Sequence, residues 1–179
     1  MMITPWETLE SSEGIKSKIF RHRVVKRKSF DSGDVGDFDV IDCYNWVNIV
    51  ALTKFDEVIM VKQYRHGSDS ITLEIPGGAI EISEDPGTAG KRELLEETGY
   101  SCEKMEFLGK VNPNPAFMTN TCYTYLATGC IKISTQKLDH LEEIDVELYS
   151  KDEILEMLKN GTIDHSLVVS AFFYLLTKK

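Results

Sequence analysis

Three glutamates, Glu93, Glu96 and Glu97, crowd into one short stretch, KRELLEETGY, Lys91–Tyr100. In a helix, residues three and four apart share a face, so these carboxylates would sit side by side, and like charges at that spacing weaken a helix. Gly99 reads as the stop of that helix. The acids then lie toward the negative end of the helix dipole, where carboxylates are least favoured. A solvated helix face is the bland explanation. Leu94 and Leu95 lie among the acids, as in any amphipathic helix, so periodicity does not decide the matter. The chain carries 29 Asp and Glu against 20 Lys and Arg, a net charge of −9. That balance is compatible with a site that collects metal cations. It argues against non-specific nucleic-acid binding, which needs a basic surface.

Something must hold these acids in place. A chain of 179 residues fits one domain with a small appendage. A helix is expected from Asp85 to Thr98, with Asp85 as cap, Pro86 in the first helical position and Gly99 just past the end. Ahead of it, VNIVALT and EVIMVKQY read as a hairpin of core strands, and TLEIPGG as a short strand ending in a glycine loop. KMEFLGKV, CYTYLATGCI and the end of LEEIDVELYS read as further strands. Two closing helices are expected over about Lys151–Lys159 and Ser166–Thr177, the second capped by Asp164. The first 45 residues differ: KSKIFRHRVVKRKSF and DFDVIDCYNW read as an antiparallel pair joined by SGDVG. The division expected is residues 1–45 as a β-strand extension and 46–179 as the main domain. Mixed strands and helices point to an α/β fold with a mixed sheet flanked by helices. Cys43, Cys102, Cys122 and Cys130 show no CxxC spacing and read as free thiols. No apolar run reaches the ~20 residues of a membrane span. MMITPWETLE lacks the marks of a signal peptide, so a cytoplasmic protein is the default expectation.

Spacing resolves the puzzle of the acids. From Gly78, five residues intervene before Glu84 and seven more before Arg92 and Glu93; Leu94, Leu95, Glu96, Glu97, Thr98, Gly99 and Tyr100 follow. The segment resembles the box of the Nudix hydrolases, G-x5-E-x7-R-E-U-x-E-E-x-G-U, with Tyr100 as its last apolar position. The resemblance implies an α/β/α sandwich with a mixed sheet. It also implies one to three Mg²⁺ or Mn²⁺ ions on the helix, since hard cations prefer carboxylate oxygens and reverse the local charge balance. Glu93, Glu97 and Glu96, with the carbonyl of Gly77, are the ligands it implies. Glu96 also counts among the catalytic candidates. Arg92 is expected to pair with Glu96 and orient the acids, with Glu84 as a structural partner beside Gly78 and Gly99. Related boxes usually carry Ala where this helix has Gly90, which costs close to 1 kcal/mol in a helix interior.

Outside the box the chain is similar to the ADP-ribose pyrophosphatase and nucleotide-sugar hydrolase branch. Pro115 lies sixteen residues beyond Gly99, and VKQYRHG precedes TLEIPGG. By that resemblance Arg65 contacts the diphosphate of a nucleoside diphosphate sugar, and the N-terminal strands serve a homodimer. Ala116 stands where many ADP-ribose enzymes show glycine, which keeps GDP-mannose or another nucleotide sugar open beside ADP-ribose. Glu142 and Glu143, unranked, are the candidates for the base that takes a proton from water. Phe20, Tyr44 and Trp46 are candidates to stack on the nucleobase, with core packing as the alternative for each. A non-catalytic ligand sensor, RNA decapping and triphosphate cleansing are the competing functions. Neither nucleic acid nor membrane is expected as a partner.

Overall fold

The structure is a computed structural model and describes residues 3–178. It divides into two compact units: residues up to Tyr44 together with Asn112–Asn120, and Asn45–Val111 together with the chain from Thr121 onward.

The first unit is a four-stranded antiparallel sheet of β1 (Glu7–Ser11), β2 (Ile15–Lys16), β3 (Phe20–Lys28) and β4 (Val35–Cys43), with β3 pairing all three others. The sequence reading anticipated β3 and β4 and missed β1 and β2, which are short, polar and exposed. Asp42 sits across from Arg21 in register and accepts hydrogen bonds from Arg21 and Arg23 at 2.7 and 2.9 Å. The Arg23 bond, with Arg21 behind it, holds the Asp42 carboxyl below its ordinary range against the pull of burial. The Asn112–Asn120 segment is tied to β4 where Ile41 donates to the Phe117 carbonyl at 2.7 Å and Thr119 donates to the Ile41 carbonyl at 3.1 Å. Val25 is the one apolar side chain buried among the described residues of this unit.

The second unit holds β5 (Trp46–Thr53), β6 (Val58–Arg65), β7 (Ser70–Glu74), β8 (Gly77–Ala79), α1 (Pro86–Thr98), β9 (Tyr100–Ser101), β10 (Lys104–Val111), β11 (Cys122–Lys132), β12 (Ile144–Tyr149), α2 (Lys151–Lys159) and α3 (Ser166–Thr177). Its sheet runs β10-β11-β5-β6-β12, with β7 on β6, β8 on β5 and β9 on β11. Strand β5 is parallel to β11 and antiparallel to β6, which makes the sheet mixed. Alternate residues of β5 feed opposite faces, as the two-residue period of a strand requires. Val47, Ile49 and Ala51 join Ala89 and Leu94 of α1; Val50 and Leu52 join Ile154 of α2 and Val168, Ala171 and Phe172 of α3. Helices cover both faces, so β5 reads as a largely apolar run, with Asn48 inside it and Thr53 at its end as its polar residues. This is the α/β/α sandwich with a mixed sheet.

Local chemistry sets the helix ends. Asp85 caps α1 by accepting from the Thr88 N–H at 3.0 Å, Pro86 opens the first turn, and Gly99 closes the helix in the left-handed region at φ 75°. Ser150 and Glu153 form a capping box on α2. Helix α3 departs from expectation. Its N-cap is His165 rather than Asp164, and the His165 side chain makes no capping bond. Burial of Val168, Ala171 and Phe172 holds this helix instead of a cap. All four cysteines are free thiols, and burial pushes Cys122 and Cys130 up to about 12.

Gly90 packs against β5. A methyl added there would meet Ile49 and Val47 at 3.4 Å, ordinary contact. Gly90→Ala is therefore expected to stabilise the protein by about 0.5–1 kcal/mol, read as a higher urea midpoint at unchanged slope. A lower midpoint would mean the pocket cannot accept the methyl.

Candidate active site

The glycine loop and α1 meet through β5. Val47 and Asn48 pair with Gly78 and Gly77 in antiparallel register. This brings the Gly77 N–H to 2.9 Å from Glu97 Oε2. A side chain at Gly77 would strike the Val47 carbonyl at 2.3 Å. One at Gly78 would strike the carboxyl of Glu93 at 2.3 Å. Gly77 is thus required by close approach of backbone, whereas Gly78 leaves room for a movable acid of the box. The sequence reading assigned Gly77 a role through its carbonyl; the bond found uses its N–H.

Arg92 gathers the remaining acids. Its Nε and Nη2 donate to the two oxygens of Glu84 at 3.1 and 3.0 Å, its Nη1 to Glu93 at 2.7 Å and Glu96 at 3.1 Å, and Nη2 also reaches the Ala79 carbonyl at 3.2 Å. The bond to Glu84 leads in holding the guanidinium charged. Glu84 in turn accepts from the Glu81 N–H at 3.0 Å, which ties the loop before α1 to the network.

Glu97 is 5% exposed, and the Gly77 N–H is the one hydrogen-bond partner of its carboxyl among the described residues. Burial pushes its carboxyl up to about 8; the Gly77 N–H and Arg65 oppose this, while the charges of Glu93 and Glu142 add to it. Burial also raises Glu93, against the bond and charge of Arg92. The centre therefore holds more carboxylate than its own cations offset. Among the described residues no three His, Cys, Asp or Glu side chains form a closed ligand set; Glu93 and Glu96 are bonded to Arg92, and Glu97 to the Gly77 N–H.

A second loop is pinned to the same helix. Gln136 donates to the Glu97 carbonyl at 2.6 Å and to the Ile144 carbonyl at 3.0 Å, and the Lys137 N–H donates to the Glu96 carbonyl at 2.8 Å. Between Gln136 and β12 lie Glu142 and Glu143. Glu142 accepts from the Asp139 N–H at 3.1 Å, which closes a turn. Both acids line a groove of about 580 Å³ shared with Lys62, Tyr64 and Ile71.

Arg65 does not have a free fork. Its Nε and Nη2 donate to the two oxygens of Glu74 at 2.7 and 2.8 Å, and its guanidinium lies 6.0 Å from the Trp46 ring. The Trp46 ring donates to Asn48 Oδ1 at 3.0 Å. Phe20, Tyr44 and Pro115 belong to the first unit, where Phe20 and Tyr44 are exposed. Within the second unit the structure brings together Gly77, Gly78, Glu84, Arg92, Glu93, Glu96 and Glu97, with Arg65 and Glu142 in electrostatic reach of Glu97. Sequence reasoning missed Glu74, Asn48 and Gln136. A lone acid in the apolar run TLEIP was the one signal available for Glu74.

Comparison with known proteins agrees with this geometry. The family described as NUDIX domain matches residues 46–172. The chain is 35% identical over 163 residues to a methanol dehydrogenase activator of Bacillus methanolicus, covering 88% of each. It is 26% identical over 178 residues to an ADP-ribose pyrophosphatase of Bacillus subtilis, covering 97% of this chain and 96% of the relative. A solved structure described as an ADP compounds hydrolase superposes with a TM-score of 0.85 at 20% identity, covering 98% of this chain and 94% of that one.

Proposed function

This chain belongs to the Nudix family and is a pyrophosphohydrolase, and from that premise we propose that it cleaves the diphosphate linkage of a nucleoside diphosphate sugar, ADP-ribose foremost. ADP-ribose would yield AMP and ribose 5-phosphate. The single observation that carries the reading is the half-buried Glu93 and the buried Glu97, set against a closely packed glycine loop with the charge of Arg65 acting on Glu97. The resemblance of the whole chain to an ADP-ribose pyrophosphatase supports the substrate class.

The residues fit a divalent cation such as Mg²⁺ or Mn²⁺. Glu93, Glu96 and Glu97 are hard oxygen donors, and the first two share one arginine while burial leaves Glu97 poorly compensated. Glu93, Glu97 and Glu96 would hold the ion, with Gly77 alongside. A bound divalent ion supplies charge neutralisation for the diphosphate and a more acidic water. Arg92 keeps Glu93 and Glu96 in place. Arg65 offers its remaining N–H groups to a phosphate oxygen. Glu142 or Glu143, on the loop pinned to α1, takes the proton from the attacking water.

A substrate panel with Mg²⁺ tests this: ADP-ribose, GDP-mannose, UDP-glucose, NADH, diadenosine polyphosphates, dGTP and capped RNA. Nucleotide sugars are expected to exceed dGTP in kcat/KM; a panel led by dGTP would transfer the site to triphosphate cleansing. A second reading comes from the Bacillus methanolicus relative, whose name is that of a dehydrogenase activator. Here hydrolysis would serve to activate another enzyme, and an assay arm with a methanol dehydrogenase checks it.

Oligomerisation is part of the proposal. The N-terminal sheet buries a single apolar side chain among its described residues, Val25, while Trp6, Ile15, Phe20, Val24 and Phe38 are exposed. So thin a sheet calls for a partner, and a second copy of the chain supplies one. A protein starting near Tyr44 is expected to be monomeric by light scattering and to bind nucleotide sugar poorly. A full-length protein that is monomeric at micromolar concentration and fully active would overturn the dimer.

A further inference from the structure

We propose that Glu74 is a positioning residue for this hydrolysis: it locks the guanidinium of Arg65 in one orientation beside the acidic centre, so that Arg65 meets the diphosphate. The proposal rests on the reading of the site as a phosphoanhydride hydrolase. Glu74 ends strand β7 and is 4% exposed, whereas the Arg65 side chain is 32% exposed. The sealed partner is the acid and the reachable one is the cation. Three groups face the acid. Arg65 grips both oxygens at 2.7 and 2.8 Å, Thr72 Oγ1 donates to Oε1 at 2.6 Å, and His165 Nε2 stands 3.9 Å from Oε2.

Two-point contact between planar groups admits one orientation, which a single ammonium contact does not. Stability does not explain the pair. Desolvating two charges offsets most of their attraction, and an apolar pair of the same volume serves a fold at least as well. Position does explain it. With Nε and one proton of Nη2 committed to Glu74, Nη1 has no hydrogen bond to a described residue. The nearby charges on Arg65 are those of the site, Glu97 and Glu142. Glu74 also lies three residues before Gly77, whose N–H holds Glu97. One short segment thus sets both the cation and the buried acid.

The test is a mutant cycle on whichever phosphoanhydride the wild-type protein cleaves fastest, so a wrong sugar assignment leaves it standing. Glu74→Gln keeps the shape and removes the charge. It is expected to lower kcat/KM roughly tenfold to 100-fold. Added to Arg65→Ala, it is expected to change kcat/KM by less than about twofold, because both act through one guanidinium. Arg65→Lys replaces Arg65→Ala in the cycle if the latter does not fold. Thr72→Val, which removes one restraint on Glu74, should lose less in the same direction and stands in if Glu74→Gln is not folded by circular dichroism. Full activity in folded Glu74→Gln overturns the proposal. So does a double variant whose loss is the product of the two single losses, or wild-type kcat/KM in Thr72→Val when that variant stands in.

Discussion

Glu97→Gln is expected to cut turnover by at least about 100-fold while leaving the fold intact. The amide preserves the size of a side chain that is 5% exposed and accepts one N–H, so packing is undisturbed and what is lost is a group able to ionise. Circular dichroism and turnover at saturating Mg²⁺ check both halves; near-normal turnover in the folded variant would remove Glu97 from the chemistry. A pH signature accompanies the kinetic one. In the metal-free protein burial raises this carboxyl from 4.5 to about 8. Between those values the native state keeps a proton that the unfolded chain has released. Stability from this group is therefore full below 4.5 and falls as pH rises toward 8, by at most about 1.4 kcal/mol per pH unit. Glu74, Glu84 and Glu147 are shifted the other way and act below 4.5. The window from pH 5 to 8 thus belongs to the raised acids. Melting temperature should decline across it without metal, recover with Mg²⁺, and decline far less in Glu97→Gln. A flat wild-type profile would count against the buried-acid description.

Gly78→Ala is expected to raise the Mg²⁺ concentration for half-maximal activity by about 10- to 100-fold. The added methyl would come within 2.3 Å of the Glu93 carboxyl. That carboxyl is the far end of a flexible side chain, so the backbone survives and the acid swings off the Nη1 of Arg92, now 2.7 Å away. Gly78 is not among the glycines with positive φ, so backbone strain contributes nothing and the defect is confined to Glu93. A Mg²⁺ titration of turnover, set beside the melting curve, separates loss of metal from loss of fold. An unchanged titration would show that Glu93 does not hold the ion.

These residues differ in how far the sequence announces them. Helix α1 was legible at both ends because Asp85, Pro86 and Gly99 act on their own neighbours, and local chemistry is what sequence spells out. The core strands were legible through their apolar runs. Strands β1 and β2 were not, since short polar strands carry no burial pattern. The same limit explains Asp164: a capping residue stands in the chain, but the cap position falls on His165 because burial of Val168 and Phe172 sets where α3 lies. Within the site, the box acids could be placed from spacing. Arg65 could be singled out but not its fork partner, for the Glu74 contact joins β6 to β7 in a geometry that only the folded sheet reveals. Gln136 was invisible for the same reason. Its amide closes onto the last turn of a helix far back along the chain.

The parallel pairing of β5 with β11 has a consequence for the order of assembly. Trp46 stands beside Cys122, and Asn48 beside both Thr124 and Gly77. Closing a loop of that span is slow, because its entropy is lost before any contact repays it. The glycine loop and α1 are close neighbours in sequence and can approach early, yet the sheet behind them is completed only when the distant β11 joins β5. During refolding, helix signal should therefore recover ahead of catalytic competence, and the ability to take up a divalent ion should appear with the slow phase.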